Sequence, residues 1–288
     1  MDTPFQNISI FGLGLMGGSW GLALRERGVK ARRVGCDKPE ILDRALAAGV
    51  IDEGVADPLA ATRDADLVIL ATPVGAILDL IQQLKGAVSP HALITDVGST
   101  KRLICQRARE QFGEEPLFLG GHPLAGKERS GLENADARLL DGARYVLTPL
   151  LPNHLDDARV KAFSALLEAV GARPFVTEAS THDRAVAFLS HLPQLVSTGL
   201  SSMIAEQSVE DFLPVELAAS GFRDVTRLAE SPYNVWRDIC LTNIENIQSA
   251  LESLIDKLET MRLHLSDREL ERDFKQALKL RERLKDAK

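Results

Sequence analysis

The sequence predicts an α/β fold in which a mostly parallel β-sheet with helices on both faces is followed by an all-helical domain. Over residues 1–177, short apolar β-like runs alternate with helical stretches. Beyond that point the β-like runs stop, and apolar residues recur with helical spacing. We therefore expect a sheet domain over residues 1–177 and a helical domain over residues 178–288.

Each β-like run of the first domain is short and apolar. The predicted strands are Ile8–Phe11, Val34–Cys36, Leu67–Ala71, Leu93–Val97, Leu117–Leu119, Tyr145–Thr148 and Pro174–Thr177. The predicted helices between them are Gly17–Gly28, Pro39–Ala48, Ala76–Leu84, Lys101–Gln111 and Leu155–Val170. This alternation indicates parallel strands, because a chain that returns to the same edge of a sheet needs a crossover connection.

The second domain begins with one long helical pattern over Glu178–Glu206. Pro193 lies inside this pattern and has no backbone N–H to donate. The carbonyl of Leu189 therefore loses its helical partner, and we expect a kink.

Between Cys240 and Leu265, apolar residues recur with alternating spacings of four and three. This heptad spacing predicts an apolar seam along one helix. The seam either packs into the core of a bundle or forms an interface between subunits, and we expect a homodimer on the second interpretation. Ser266 and Glu269 match a capping box, which predicts a last helix over Asp267–Lys285.

Charge and composition disfavour several classes of protein. The net charge of −7 argues against nucleic acids and anionic membranes as partners. No apolar run is long enough to span a membrane, and the chain enters a β-like run too early for a signal peptide. Cys36, Cys105 and Cys240 are too far apart for a disulfide framework or a zinc site, so no metal is expected. A reducing cytoplasm is the expected location.

A glycine-rich turn follows the first predicted strand and opens the first predicted helix. It consists of Gly12, Leu13, Gly14, Leu15, Met16 and Gly17, which fits G-x-G-x-x-G. The first glycine permits a tight turn, the second lets a pyrophosphate approach the backbone, and the third lets helix and strand pack closely. The helix N-terminus offers N–H groups and a partial positive charge to the phosphates. The pattern predicts a Rossmann-type dinucleotide-binding domain.

An acidic residue follows at the distance that this type of domain uses. Asp37 lies 20 residues after Gly17, at the end of the second predicted strand, where its carboxylate can bind the adenosine ribose hydroxyls. The same charge would repel a 2′-phosphate, so NAD is favoured, although the neighbouring Lys38 leaves NADP open. Thr72 and Pro73 follow the next strand and either line the cofactor or form a plain turn.

Two segments that follow strands hold candidates for the chemistry. Ser99 and Thr100 follow the fifth predicted strand, and they either cap the next helix or place the Ser99 hydroxyl beside the nicotinamide and substrate. His122 lies between two glycines and Pro123. Such a frame fixes the backbone and is typical of neither helix nor strand, so we expect His122 to act as a general acid or base.

The long helical pattern of the second domain contains two further histidines. His191 comes two residues before Pro193, and it is either a core histidine or a polar group that faces the cleft. His182 and Asp183 lie near the start of the pattern, and we interpret them as a helix cap only.

Two arginines offer positive charge in an acidic chain. Arg223 and Arg227 are four residues apart and share one helical face. They are either solvated ion-pair partners or ligands for a carboxylate, which a guanidinium binds with two hydrogen bonds. Trp236 either walls the same pocket or packs in the core.

Six segments together resemble the prephenate/arogenate dehydrogenase family of tyrosine biosynthesis: GLGLMGGS, ATPV, TDVGSTK, GGHPLAG, SHLPQL and GFRDVTRLA. The resemblance covers roughly residues 7–265. It implies a nucleotide-binding domain, a helical dimerisation domain and a small-molecule substrate. It also implies oxidative decarboxylation of prephenate to 4-hydroxyphenylpyruvate, or of arogenate to tyrosine.

The resemblance also implies roles for individual residues. His122 resembles the catalytic histidine that hydrogen-bonds the ring hydroxyl, and Ser99 resembles the serine that orients this hydroxyl and the nicotinamide. His191 resembles the helix histidine of the substrate pocket. Arg227 resembles the arginine that holds a substrate carboxylate.

Four more positions match the surroundings of that pocket. Asp224 and Trp236 correspond to positions next to the carboxylate-binding arginine. Glu128 corresponds to an acidic position near the pocket mouth in some members. Lys127 departs from the threonine or serine often found there, which leaves selectivity for the substrate side chain open.

Other functions compete with this interpretation. A β-hydroxyacid dehydrogenase would need a lysine on the long helix of the second domain, and Glu178–Glu206 contains none. A pyrroline carboxylate reductase does not explain the segments around His122 and His191. A non-catalytic nicotinamide sensor would keep the glycine loop without needing a framed histidine.

Overall fold

An eight-stranded sheet forms the centre of the first domain in the computed structural model, which describes residues 2–127, 129–209 and 215–286. Its strands are β1 (Asn7–Phe11), β2 (Arg32–Cys36), β3 (Glu53–Gly54), β4 (Leu67–Leu70), β5 (Leu93–Asp96), β6 (Leu117–Pro123), β7 (Arg144–Pro149) and β8 (Arg173–Val176). They lie in the order β3-β2-β1-β4-β5-β6-β7-β8, and only the β6–β7 pair is antiparallel. The predicted mostly parallel sheet is confirmed.

Helices cover both faces of this sheet, as predicted. In chain order they are α1 (Leu15–Glu26), α2 (Pro39–Ala47), α3 (Pro58–Ala61), α4 (Val74–Gln83), α5 (Arg102–Phe112) and α6 (Ala158–Ala169). Helices α1, α2 and α6 contribute to one apolar core, and α3, α4 and α5 contribute to the other. Trp20 of α1 stacks on Phe163 of α6 with ring centroids 6.0 Å apart, which fixes these two helices on the same face.

The strand order reverses between β1 and β4, which are neighbours in space although β2 and β3 lie between them in sequence. In doubly wound sheets, ligands bind outside the carboxyl ends of the strands at such a reversal. The glycine-rich turn after β1 and the Thr72 turn after β4 both lie at this edge. The topology therefore brings together segments that are about 60 residues apart.

The second domain is helical throughout its described residues. Its segments are α7 (Ala179–Val186), a π-helical turn (Ala187–His191), α8 (Leu192–Val209), a 3₁₀ turn (Val215–Leu217), α9 (Ser220–Thr226), a 3₁₀ turn (Arg227–Glu230), α10 (Tyr233–Thr242), α11 (Ile244–Leu263) and α12 (Glu269–Asp286). The predicted kink takes the form of the π-helical turn, because Pro193 cannot donate to the Leu189 carbonyl.

The predicted heptad seam does not lie on one helix. It is broken at Asn243, whose backbone angles of φ −130° and ψ 28° separate α10 from α11. Ile247 packs in the small core of the helical domain, whereas Leu258 and Leu265 are exposed. Cys240, Ile247 and Leu251 of the seam thus pack in the bundle core, whereas Ile244, Leu258 and Leu265 leave apolar surface exposed.

The last helix begins two residues later than predicted. Its first turn is capped by Asp267, which accepts the N–H of Glu269 at 2.9 Å, and not by Ser266. The predicted capping box is not formed. Because the helix starts at Glu269, Asp267 lies closer than Ser266 to its first free N–H groups.

Two carboxylates of the helical domain cap two helices of the sheet domain. Asp183 accepts the N–H of Lys101 at 2.7 Å and that of Arg102 at 2.9 Å, at the start of α5. Asp238 accepts the N–H of Gly75 at 2.9 Å, at the start of α4. Both helices begin at the carboxyl edge of the sheet, so the two domains meet where the ligand-binding turns lie.

The part of the chain that the structure describes contains no helix long and apolar enough to cross a membrane. Its three cysteines are free thiols. Burial raises the pKa of Cys36 and Cys105 to about 11, so both stay protonated near neutral pH. Within the same described residues, no group of three or more His, Cys, Asp or Glu side chains could hold a metal ion.

Candidate functional site

The glycine-rich turn has the shape that a pyrophosphate requires. A Cβ added to Gly17 would lie 1.9 Å from the carbonyl oxygen of Gly12, and Gly12 itself has φ +84°. By contrast, a Cβ added to Gly14 would meet nothing within 4 Å, so the backbone here is open to a ligand. Helix α1 then begins with Leu15 and Met16, with no side-chain cap and no acidic residue in its first turn. Its N-terminal N–H groups are available to an anion.

A cavity of about 420 Å³ adjoins this turn. Asp37, Lys38 and Thr72 are among the residues that line it, whereas Pro73 is not. The Asp37 carboxylate accepts the N–H of Leu13 at 2.7 Å and that of Lys38 at 2.7 Å, which fixes it between the glycine turn and the cavity. The Thr72 hydroxyl is buried without a hydrogen-bond partner. An acidic group, an unpaired hydroxyl and an open glycine turn fit the adenosine half of a dinucleotide.

The two glycines before His122 are required by close packing. A Cβ on Gly120 would lie 2.2 Å from the hydroxyl oxygen of Thr148, and a Cβ on Gly121 would lie 2.4 Å from the carbonyl oxygen of Asp96. The segment belongs to β6, which pairs with β5 on one side and β7 on the other. The predicted rigid frame is therefore confirmed, but it is a strand and not the irregular turn that its composition indicates.

A fully buried ion pair holds this frame in place. The ammonium of Lys101 pairs with the carboxylate of Asp96 and also donates to the carbonyl of Gly121 at 2.6 Å. The Asp96 carboxylate accepts the N–H of Gly121 at 3.0 Å and that of Gly98 at 2.8 Å. Burial raises the pKa of Asp96, while Lys101 and the two N–H groups act against this rise. Both polar groups of Gly121 are thus bound, which fixes the residue before His122.

The ring of His122 contacts a histidine of the other domain. Its Nδ1 lies 2.8 Å from Nε2 of His182, and Nδ1 of His182 lies 2.8 Å from Oδ1 of Asp183. The interpretation of His182 and Asp183 as only a cap of their own helix is wrong. Asp183 caps α5, and His182 touches the candidate base. The alternative that Ser99 or Thr100 caps α5 is also wrong, because Asp183 fills that role.

The surroundings of His122 keep its ring neutral at pH 7. Burial lowers the pKa of His122 well below 6.5, and the nearby His182, Lys101 and His191 lower it further. A neutral imidazole has one nitrogen with a free electron pair, which can accept a proton. His122 can therefore serve as a general base without first losing a proton to solvent.

His191 ends the π-helical turn and is buried. Its Nδ1 lies 3.3 Å from the amide nitrogen of Asn243, while its Nε2 has no hydrogen-bond partner. Burial lowers the pKa of His191 to about 4, so the ring is neutral. Trp236 meets this ring edge-on at 5.9 Å and also packs against the small core of the helical domain. Trp236 is thus a core residue that also contacts His191, and its role as a pocket wall stays a prediction.

The segment that carries Arg223 and Arg227 is hydrogen-bonded to α8 one turn beyond His191. The amide of Gln194 donates to the carbonyl of Leu228 at 2.8 Å. Asp224 and Arg227 are both exposed on this segment. Arg223 and Arg227 do not share one regular helix as predicted, because α9 ends at Thr226 and Arg227 begins a 3₁₀ turn.

Ser99 lies in the loop between β5 and α5 and is partly buried at the carboxyl edge. Lys127 is exposed and binds the carboxylate of Asp136 at 3.1 Å and the carbonyl of Asn134 at 3.2 Å. Glu128 lies outside the described residues.

Sequence reasoning missed two pairs that organise the site. Asp96 and Lys101 flank Ser99 in the segment TDVGSTK, and their charged side chains at the end of a buried strand were the available signal. His182 and Asp183 gave no comparable signal, because their partners lie 60 and 82 residues away.

Comparison with known proteins covers both domains. Residues 20–176 match the family model of the prephenate dehydrogenase nucleotide-binding domain, and residues 178–280 match that of the prephenate dehydrogenase dimerization domain. A prephenate dehydrogenase of Lactococcus lactis is 32% identical over 282 residues, which is 96% of this chain and 77% of that protein.

Solved structures agree with these matches. The crystal structure of Aquifex aeolicus prephenate dehydrogenase in complex with hydroxyphenyl propionate and NAD+ has a TM-score of 0.87 and 32% identity, covering 98% of each chain. Synechocystis arogenate dehydrogenase has a TM-score of 0.79 and 30% identity, covering 96% of this chain and 99% of that one. The framed histidine, the dinucleotide cradle and the matches over both domains together show that this chain belongs to the prephenate dehydrogenase family.

Proposed function

We propose that this protein is an NAD-dependent enzyme that oxidises and decarboxylates prephenate to 4-hydroxyphenylpyruvate. The observation that carries the proposal is the neutral, half-buried imidazole of His122 at the same sheet edge as the dinucleotide cradle. Family membership and the likeness to an enzyme solved with NAD+ support it. The glycine turn, Asp37 and Thr72 would hold the dinucleotide.

His122 accepts the proton of the C4 hydroxyl at Nε2, while Ser99 orients that hydroxyl. When bound, NAD+ supplies the hydride acceptor, and loss of the ring carboxylate as carbon dioxide leaves an aromatic product. The Asp96–Lys101 pair keeps the backbone of His122 in register during this step. The ring stays neutral and ready for the next proton because burial holds its pKa low.

Recognition of the substrate side chain falls to the helical domain. Arg227 binds a carboxylate, and Asp224 borders it. His191 offers its unpaired Nε2 to the substrate, and Trp236 walls the pocket on the other side of that ring. The family resemblance adds Lys127 and Glu128 to this set.

The decisive assay crosses two substrates with two nucleotides. We expect the purified protein to reduce NAD+ in the presence of prephenate, followed by absorbance of the reduced nucleotide. Arogenate is the second candidate, because a solved arogenate dehydrogenase is 30% identical over nearly the whole chain. Faster turnover of arogenate would make it the preferred substrate, and no reduction with either compound would contradict the proposal.

Nucleotide preference is expected to depend on Asp37. Replacement by serine removes a charged acceptor for the ribose hydroxyls, and a hydrogen bond to a charged group is worth about 1.5–3 kcal/mol. We expect Asp37→Ser to raise the Kd for NAD+ about tenfold or more, measured by calorimetric titration. The difference between the Kd values for NAD+ and NADP+ should become smaller. Lys38→Gln is the matched control, and it should weaken the binding of NADP+ only. Equal NAD+ affinity of wild type and Asp37→Ser would refute this role.

The helical domain is proposed to form a homodimer. Leu258, Leu263 and Leu265 on and after α11 are between 54% and 70% exposed, and Phe274 of α12 is 68% exposed. Surface apolar stripes of this extent favour burial against a second copy, and the matched family model is described as a dimerization domain. We expect a dimer in sedimentation, and a monomer for the double variant Leu258→Glu/Leu265→Glu. A monomeric wild type at micromolar concentration would contradict the proposal.

A further inference from the structure

A continuous chain of three side chains crosses from the helical domain to His122. Asp183 is fully buried and His182 is 3% exposed, so water has little access to either. The two contacts in the chain are 2.8 Å each, within hydrogen-bond distance. The rings of His122 and His182 stand nearly perpendicular, with an angle of 79°.

The chemistry of Asp183 sets the position of each proton in this chain. Its carboxylate already accepts two backbone N–H groups of the α5 start, and a carboxylate can only accept. Nδ1 of His182 must therefore donate, which leaves Nε2 of a neutral His182 as an acceptor. Nδ1 of His122 must then donate to it, so the free electron pair of His122 lies on Nε2.

Two other titratable groups, Lys101 and His191, lie near the pair. Lys101 approaches from the loop before α5, and its ammonium is neutralised by Asp96 of β5. His191 approaches from the π-helical turn and is neutral. Asp183 is thus the negative charge in direct contact with the histidine pair.

We propose that His182 is a positioning residue and proton relay for His122. The inference rests on the proposed function. As Nε2 of His122 takes the hydroxyl proton of the substrate, the proton on Nδ1 of His122 passes to Nε2 of His182. The positive charge then resides on His182, next to the Asp183 carboxylate. After the product leaves, Nε2 of His122 releases its proton to solvent, and the proton on Nε2 of His182 returns to Nδ1 of His122.

The proton positions can be tested without nucleotide, substrate or turnover. We expect ¹⁵N chemical shifts of the histidine rings in the nucleotide-free wild-type protein to show His122 and His182 in the Nδ1–H form at neutral pH. His122→Asn and His182→Gln spectra assign the two signals. An Nε2–H form of either ring would overturn the proposal, and this result is independent of which substrate the enzyme uses.

A split between kcat and KM separates a relay from a merely structural contact. In His182→Gln, the group that contacts Nδ1 of His122 can no longer take up a proton. We expect kcat to fall on the order of 10²-fold, within the range of general-base contributions, while the KM for the substrate changes little, because His182 contacts the ring of His122.

His154→Gln provides the matched control, because it removes a buried histidine of the sheet domain whose Nδ1 has no hydrogen-bond partner. We expect this variant to keep the wild-type kcat and KM. A His182→Gln variant whose kcat stays within about twofold of the wild type, or whose KM rises as much as its kcat falls, would overturn the relay. Absence of turnover in the wild type would contradict the proposed function. The ring tautomers would still show whether the protons on His122 and His182 lie where the relay requires them.

Discussion

His122→Asn is expected to lower kcat by about 10²–10⁴-fold, because a positioned general base typically contributes that much to a rate. Asparagine keeps a short polar side chain in the frame formed by Gly120, Gly121 and Pro123, but it has no electron pair of comparable basicity. The KM for the substrate and the Kd for NAD+ should change little. Steady-state kinetics with saturating nucleotide measure the first two quantities, and calorimetric titration measures the third.

A matched control tests whether the loss of kcat is specific to position 122. The histidine at position 91 is exposed and lies in the loop before β5, so His91→Asn should keep the wild-type kcat. A His122→Asn enzyme that turns over within about twofold of the wild type would rule out His122 as the base.

Lys101→Met is expected to cost about 3–5 kcal/mol in the free energy of unfolding, since removing one member of a buried ion pair leaves the other charge uncompensated. Methionine fills a similar volume but leaves the Asp96 carboxylate with only the N–H groups of Gly98 and Gly121. Urea denaturation followed by circular dichroism measures the change. Because Lys101 also binds the carbonyl of Gly121, kcat should fall in the fraction that remains folded.

Two further variants test whether the loss comes from the unpaired charge. Lys85 is exposed, and Lys85→Met should change the free energy of unfolding by no more than about 0.5 kcal/mol. The double variant Lys101→Met/Asp96→Asn should recover part of the stability, because it removes both charges. A single Lys101→Met variant as stable as Lys85→Met would show that the pair contributes nothing.

Local patterns predict the sheet domain well because most strands contain a short apolar run, and those of β1, β4 and β5 are followed by a helix. β3 escapes this reasoning, since Glu53 and Gly54 carry no apolar signal. His122 is identifiable from its own neighbours, because glycines and a proline around a histidine are unusual in a strand or a helix. Its partner His182 is not, because no local rule links side chains that meet only after two domains pack together.

The helical domain shows what heptad spacing cannot predict. Heptad spacing detects that Ile247 and Leu258 belong to apolar stripes, but it assumes one continuous helix. Asn243 ends that continuity, and its side chain instead binds the carbonyl of Asp183 at 2.8 Å. An amide that bonds a distant backbone group in the folded state has no periodic signature in the sequence.

The carboxylates of Asp183 and Asp238 have a consequence for the direction in which a dinucleotide can lie. They neutralise the positive ends of α5 and α4, while α1 keeps its end free. A diphosphate arriving at this edge therefore finds its strongest attraction at α1, and the nicotinamide end is left to extend toward His122. The polarity of the bound ligand is thus set partly by acidic residues of a domain that does not carry the glycine motif.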